Sequence, residues 1–240
     1  VDTEMVLGIL TPIWETKTET ATRVRQRIEN VLDWAKARDF RSGENPARRR
    51  GHIDKLLPKP TKIRKVKHLE ALPYGKMPAF YSWLEGKDSL ASLALRFTIL
   101  TAARNGESRN ATLNEINFSE KLWILPAEKM NGGREHRVPL SNETMLVLES
   151  VRPHVTREYL FPGQGRKNNV ISDQALLKLV KEYEPSLTVH GFRSTFRDWC
   201  AEQTNHSREV AEVALAHSIK DQTEAAYQRG DLIEKRAKLM

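Results

Sequence analysis

The chain has 240 residues, 39% of them hydrophobic and 29% charged, with a mean hydropathy of -0.57. That is enough for one or two domains with a proper core, too apolar for a disordered chain, and without a run that could cross a bilayer. A single cysteine, Cys200, excludes an internal disulfide framework and a cysteine-rich zinc module and points to a reducing, cytoplasmic address.

The chain opens at Val1 with no signal-peptide pattern and is expected to be a fragment without its true amino terminus. The formal charge of +8 is concentrated. Arg41 to Lys67 holds ten basic residues against two acidic ones, and the remainder of the chain balances. Such a stretch is either a solvated linker or a strap that contacts phosphates and releases counterions.

In chain order, Val6, Leu10 and Ile13 have helical spacing, interrupted by Gly8 and Pro12. A firmer helix starts near Thr20, where Val24, Ile28, Val31 and Trp34 form the apolar stripe and Arg23, Arg25 and Arg27 take other faces. Asn45-Pro46 ends the helical region, and Pro58-Lys59-Pro60 marks a linker. Helical patterning resumes at Met77 and again from Ser89 to Ala103. Strand-like runs at Leu122 to Leu125 and Arg137 to Leu140 are expected to join through a tight turn at Asn131-Gly132-Gly133. Further helices are expected at Asn142 to Val151, Ser172 to Glu182, His190 to Gln203, Ser207 to Ala216 and Asp221 to Gln228. Asp231 and Glu234 have capping-box spacing for a last helix reaching Met240. That helix, with Leu232, Ile233 and Leu239, packs either on its own domain or on a neighbouring protomer.

Several apolar rows end in polar residues. Leu93, Phe97 and Leu100 continue to Arg104, with Gly106 placed to end the helix and Glu107 opening the next segment. Phe192, Phe196 and Trp199 form a core stripe beside the polar row His190, Arg193 and Arg197. Val210, Val213 and Ala214 continue to His217. Tyr227 follows among small neighbours. Each feature alone has a plain structural reading: an Arg104-Glu107 salt bridge, a surface histidine, a packing tyrosine. Together, two arginines, two histidines, a tyrosine and a possible lysine, with no metal-ligand pattern, suit metal-free chemistry on a phosphodiester. Guanidinium forks hold the phosphate oxygens, and a tyrosine hydroxyl attacks phosphorus.

Thr101-Ala102-Ala103-Arg104-Asn105-Gly106-Glu107, His190-Gly191-Phe192-Arg193, Leu215-Ala216-His217 and Tyr227 resemble, in order, the motifs of the tyrosine recombinase (phage integrase) family. Leu160-Phe161-Pro162 and Arg137-Val138-Pro139-Leu140-Ser141 extend the likeness over about Lys67 to Met240, most closely to prophage and genomic-island integrases. The resemblance implies a mainly α fold with a small antiparallel β-sheet (α+β). It implies a partial helical core-binding domain over 1–58, a basic linker over 59–66 and a catalytic domain over 67–240, with the early core-binding helices and the arm-binding domain absent.

By the same resemblance Tyr227 attacks a scissile phosphate, forms a 3′-phosphotyrosyl link and frees a 5′-hydroxyl for strand exchange between specific sites. Arg104 and Arg193 clamp the phosphate, His190 assists proton removal, His217 hydrogen-bonds the phosphate, and Glu107 supports from behind. The family's hairpin lysine, which protonates the leaving oxygen, falls on Asn131 here. Either Lys129, two residues earlier, reaches the site through a hairpin shift or the step is weakened; Lys129 is the residue favoured. Arg134 and His136 nearby read as a solvated strand edge. Candidate DNA contacts are Arg23, Arg27, Arg48, Arg49, Arg50, Lys62, Arg64, Lys65 and Lys67.

The implied partners are double-stranded DNA attachment sites, a homotetramer on DNA and a directionality factor, with no cofactor, metal or membrane. The alternatives are a non-cleaving DNA-binding relative, which the substituted hairpin position supports, a type IB topoisomerase-like enzyme, and a metal-dependent nuclease.

Overall fold

The computed structural model of the chain describes residues 1–63, 70–155, 158–163, 170–217 and 230–240. It divides into two compact units, Val1–His68 and Leu69–Met240.

In the first unit, α1 (Thr3–Trp14) starts at Asp2, whose carboxylate accepts from the Met5 N–H, and runs through both Gly8 and Pro12. Val6, Leu10 and Trp14 are spaced four apart and all buried, so one stripe faces the second helix. That helix, α2 (Thr18–Ala37), does not bury the stripe expected of it. Val24 and Ile28 are half-buried, but Val31 and Trp34 are 63% and 55% exposed. The buried row is Thr18, Ala21, Arg25 and Leu32. Arg25, expected on a basic flank, lies inside because its Nη1 donates to Glu29 (2.6 Å) and to the Ala47 carbonyl (2.8 Å). A buried charge is tolerated when it is paired and hydrogen-bonded in this way.

Asn45 fastens the following strap to α2, donating to the Glu29 carbonyl and to Asp33. Trp14 Nε1 donates to the Pro58 carbonyl at 2.9 Å. Within the stretch expected as linker, Pro60–Ile63 forms a helical turn, and Ile63 packs on the first unit's core.

The second unit is mainly helical: α3 (Met77–Glu85), α4 (Leu90–Leu100), α5 (Asn105–Arg109), α6 (Asn142–Val151), α7 (Asp173–Tyr183), α8 (Gly191–Gln203), α9 (Arg208–Ala214) and α10 (Ile233–Leu239). Serine caps set several starts. Ser89, Ser141 and Ser172 accept from the N–H groups of Ser92, Thr144 and Ala175, satisfying donors a helix leaves open. The helix expected at Asp221 to Gln228 lies outside the described residues.

Strands β1 (Ile116–Asn117), β2 (Leu122–Leu125) and β3 (His136–Pro139) form one antiparallel sheet in that order, with Leu125 opposite His136. The β2–β3 connection is therefore not a tight Asn-Gly turn. It includes a 3₁₀ turn, Ala127–Lys129, and a left-handed Gly133.

Central α4 packs on α6 and α7. Phe97 meets Trp123 and Phe161 at ring-centroid distances of 5.0 and 5.5 Å, and Phe80 stacks on Phe192 at 4.9 Å. A smaller core of Cys200, Val210, Ala211, Ala214 and Leu239 joins α8, α9 and α10, so the last helix packs on its own unit. Its expected capping box does not form. Leu232 is left-handed at the cap, and Asp231 instead pairs with Arg137 (2.7 Å) and Arg236 (3.4 Å).

Candidate active site

Arg104 is not the end of the α4 stripe. The helix stops at Leu100, Ala102 turns left-handed at φ 48°, and Arg104 becomes the cap of α5. Gly106, expected to end a helix, lies inside α5. Glu107 Oε2 accepts from the Arg104 N–H at 2.9 Å, and Oε1 accepts from Arg104 Nη1 at 2.7 Å. The anticipated salt bridge thus aims the arginine as well as closing the helix start.

His217 is likewise not a continuation of the α9 stripe. Ala216 is left-handed at φ 49°. The Ala216 N–H bonds to the Val213 carbonyl, and the His217 N–H to the Glu212 carbonyl, both at 3.0 Å. These are the two hydrogen bonds of a Schellman closure, with alanine where glycine is usual.

The two turns are braced crosswise. Arg104 Nη2 donates to the Ala216 carbonyl at 3.1 Å. Arg193, from the buried face of α8, donates through Nη1 to the Ala102 carbonyl and through Nη2 to the Leu215 carbonyl. Arg193 Nη2 also lies 3.3 Å from His217 Nε2. Helix carboxyl ends carry partial negative charge, so each guanidinium sits where such ends favour it. Arg193 is 6% exposed, and its Nε has no partner among the described residues. Burial, followed by the Arg104 charge and opposed by Glu107, lowers its pKa to about 10, and it remains a cation at neutral pH.

His190 caps α8. Burial, then the charges of Arg193, Arg104 and His217, hold its pKa below the ordinary imidazole value, so at neutral pH it is a base. Its neighbour Gly191 is fixed by space: a Cβ there would lie 2.5 Å from the Glu70 carbonyl oxygen. Arg197, expected in the same polar row, turns away to Glu212 at 2.8 Å.

Arg104 from the α5 cap, His190 and Arg193 from the start of α8, and His217 from the turn after α9 thus meet around one positively charged place. An anion with several oxygens would relieve their mutual repulsion and find N–H donors there.

Lys129 is held elsewhere. Its ammonium bonds to Glu115 and to the Asn110 carbonyl (2.8 Å), beside the carboxyl end of α5, whereas Arg104 caps the other end. Asn131 and Arg134 are exposed. His136 is not a solvated edge residue: burial, then the Arg236 charge, lowers its pKa to about 4. Tyr227 lies outside the described residues, as do Arg64, Lys65 and Lys67.

In the first unit, Arg23, Arg27, Arg48, Arg49, Arg50 and Lys62 are all exposed. Arg23 pairs with Glu19 and Arg48 with Glu44. Arg41, Arg48, Arg50 and His52 line an open cavity of about 510 Å³. Among the described residues no helix is long and apolar enough to cross a membrane.

Residues the sequence reading missed are Ala102 and Ala216, whose backbone turns present the arginine and the histidine, and Glu212, which binds His217 Nδ1 at 2.6 Å. The only signal for Glu212 was a carboxylate five residues before a histidine.

The phage integrase central domain matches residues 1–52, and the phage integrase family matches residues 77–231. Prophage integrase IntZ of Escherichia coli (strain K12) is 32% identical over 222 residues, covering 90% of this chain and 52% of that protein. The chain spans about half the length of the curated relatives it matches. A lambda integrase tetramer bound to a Holliday junction aligns at TM-score 0.66 and 14% identity, over 94% of this chain and 64% of that one. The Tn1549 transposon integrase in complex with circular intermediate DNA aligns at 0.64 and 16%, over 100% and 85%. At these identities the likeness is one of fold.

Proposed function

The chain belongs to the phage integrase family, and on that premise we propose that it breaks and rejoins double-stranded DNA at specific attachment sites through a phosphotyrosyl intermediate. One observation carries the reading: two guanidiniums and two imidazoles from three segments converge, with Arg193 buried and cross-braced to the turns that present Arg104 and His217.

The roles are those the family resemblance implies, and the geometry of the described residues supports them for the arginines and His190. Arg104 and Arg193 bind the two non-bridging oxygens and hold the charge of the pentacoordinate transition state. His190, neutral at pH 7, receives the tyrosine proton. Tyr227 attacks phosphorus; the P–O bond to the 5′-oxygen breaks, and the strand is held as a 3′-phosphotyrosine until a 5′-hydroxyl from the partner duplex reverses the step. Glu107 positions Arg104. The exposed Arg27, Arg49, Arg50 and Lys62, together with Arg64, Lys65 and Lys67 on the strap, contact backbone phosphates. The protein works as a tetramer on paired sites, with a directionality factor biasing the outcome.

A non-cleaving DNA-binding reading has one observation in its favour, the capture of Lys129 by Glu115 with Asn131 in the hairpin position. The two readings separate on a nicked duplex bearing a site enriched by binding selection. Recombination chemistry gives a covalent protein–DNA adduct in EDTA, whereas binding alone gives a salt-sensitive complex and no adduct.

A further inference from the structure

Glu212 grips His217 at two points. Its backbone carbonyl accepts the His217 N–H at 3.0 Å, and its Oε2 lies 2.6 Å from His217 Nδ1. With Nδ1 bound to a carboxylate, Nδ1 carries a proton, and the lone pair of a neutral ring is left on Nε2. In the structure that nitrogen lies 3.3 Å from Arg193 Nη2, where it accepts. Arg193 Nη2 also donates to the Leu215 carbonyl at 2.5 Å. A phosphate oxygen, however, accepts only, so if His217 hydrogen-bonds the phosphate through Nε2 while Glu212 holds Nδ1–H, the ring is an imidazolium.

We propose that Glu212 is a positioning residue that holds His217 by Nδ1 and stabilises the imidazolium, so that phosphate binding takes up one proton at Nε2 and converts it from acceptor to donor. The proposal rests on the recombination reading of the site.

The charged surroundings are consistent with one carboxylate tipping the balance. Facing His217 are Arg193 and His190 from α8 and Arg104 from the cap of α5. These cations oppose a further proton, and Glu107 is engaged by Arg104. Glu212 alone among the described carboxylates bonds to the ring. Burial pushes its carboxyl up, but hydrogen bonds from His217 and Arg197 outweigh this and keep it below the ordinary value. It is therefore ionised at neutral pH, and a carboxylate in contact favours the charged imidazole.

Glu212 also bonds to Arg197 at 2.8 Å and lies 3.6 Å from Arg208, so a purely structural tie between α8 and α9 must be told apart. The test uses Glu212→Gln, which keeps an acceptor for Nδ1–H but removes the charge, with Arg197→Gln as the structural control. Nitrogen NMR of His217 reads its titration midpoint and tautomer without any DNA. Single-turnover cleavage of the nicked duplex from pH 6 to 9 reads the consequence.

The expected result is a His217 midpoint lower by about one pH unit or more in Glu212→Gln. Cleavage by Glu212→Gln is expected to fall further below wild type as pH rises, by up to about tenfold per unit of that change, with Arg197→Gln keeping the wild-type profile. An unchanged midpoint, or the same profile in Glu212→Gln and Arg197→Gln, overturns the proposal. If the wild-type protein forms no adduct, it is the recombination reading that fails, while the NMR midpoint still decides whether Glu212 governs His217.

Discussion

Arg104 and Ala216, 112 residues apart in sequence, are joined by a 3.1 Å hydrogen bond from the guanidinium to the carbonyl of a left-handed alanine. The reciprocal bond runs from Arg193 to the carbonyl of Ala102, the other left-handed alanine. Each arginine thus stabilises the turn that presents another member of the cluster.

Left-handed backbone costs a non-glycine residue about 1–2 kcal/mol, partly offset by the entropy glycine loses on folding. Ala102→Gly and Ala216→Gly are therefore each expected to raise unfolding free energy by about 0.5–1 kcal/mol. Chemical denaturation measures this, and a loss of stability would mean the turns are not strained.

Gly191→Ala has the opposite sign. A methyl group 2.5 Å from the Glu70 carbonyl forces the 70–72 segment off α8, where Leu72 accepts from Thr195 at 2.6 Å. Overpacking of this kind costs about 1–3 kcal/mol. Because His190 and Arg193 flank the glycine, cleavage is expected to fall along with the melting temperature; a variant with wild-type stability would contradict the close approach.

Acid sensitivity follows from His136 and His190. Both have folded pKa values below the ordinary 6.5, His136 at about 4. Above 6.5 both states of the protein leave these rings neutral. As pH falls from 6.5 towards 4 the unfolded chain takes up protons that the folded one refuses, and stability declines, by up to about 3 kcal/mol for His136. His136→Gln is expected to flatten the denaturation midpoint between pH 6.5 and 4, and an unaltered pH slope would show that His136 is not held neutral.

Much of the fold was legible where local patterning and burial agree. Asn142 to Val151 forms with its expected limits, where Ser141 caps the helix and one face is buried. The failures have a common cause in long-range pairing. Arg25 is buried through Glu29 and Ala47, which no helical period announces, and Asp231 is drawn from capping to Arg137 and Arg236. Arg104 and His217 both come to Arg193, but left-handed alanines and not continuing stripes put them there. Glu212 was invisible because its partner lies across a helix end.

Lys129 offers a sharp discrimination. Held by Glu115 and Asn110, it must leave both to protonate a leaving oxygen. Asn131→Lys is therefore expected to speed cleavage of an ordinary phosphodiester by about 10²-fold or more, and to give no gain on a substrate with a 5′-bridging sulfur, whose thiolate leaves unaided. A Lys129→Ala variant slowed on the ordinary substrate and rescued by sulfur would instead make Lys129 the acid.

The central claim is that the basic cluster serves a tyrosine nucleophile. Incubation with the nicked duplex in EDTA, followed by denaturing electrophoresis and peptide mapping, tests it most directly. The account predicts an adduct on Tyr227 that disappears in Tyr227→Phe and in Arg193→Ala. An adduct that survives Tyr227→Phe, or cleavage that requires added divalent metal and leaves no adduct, would contradict it.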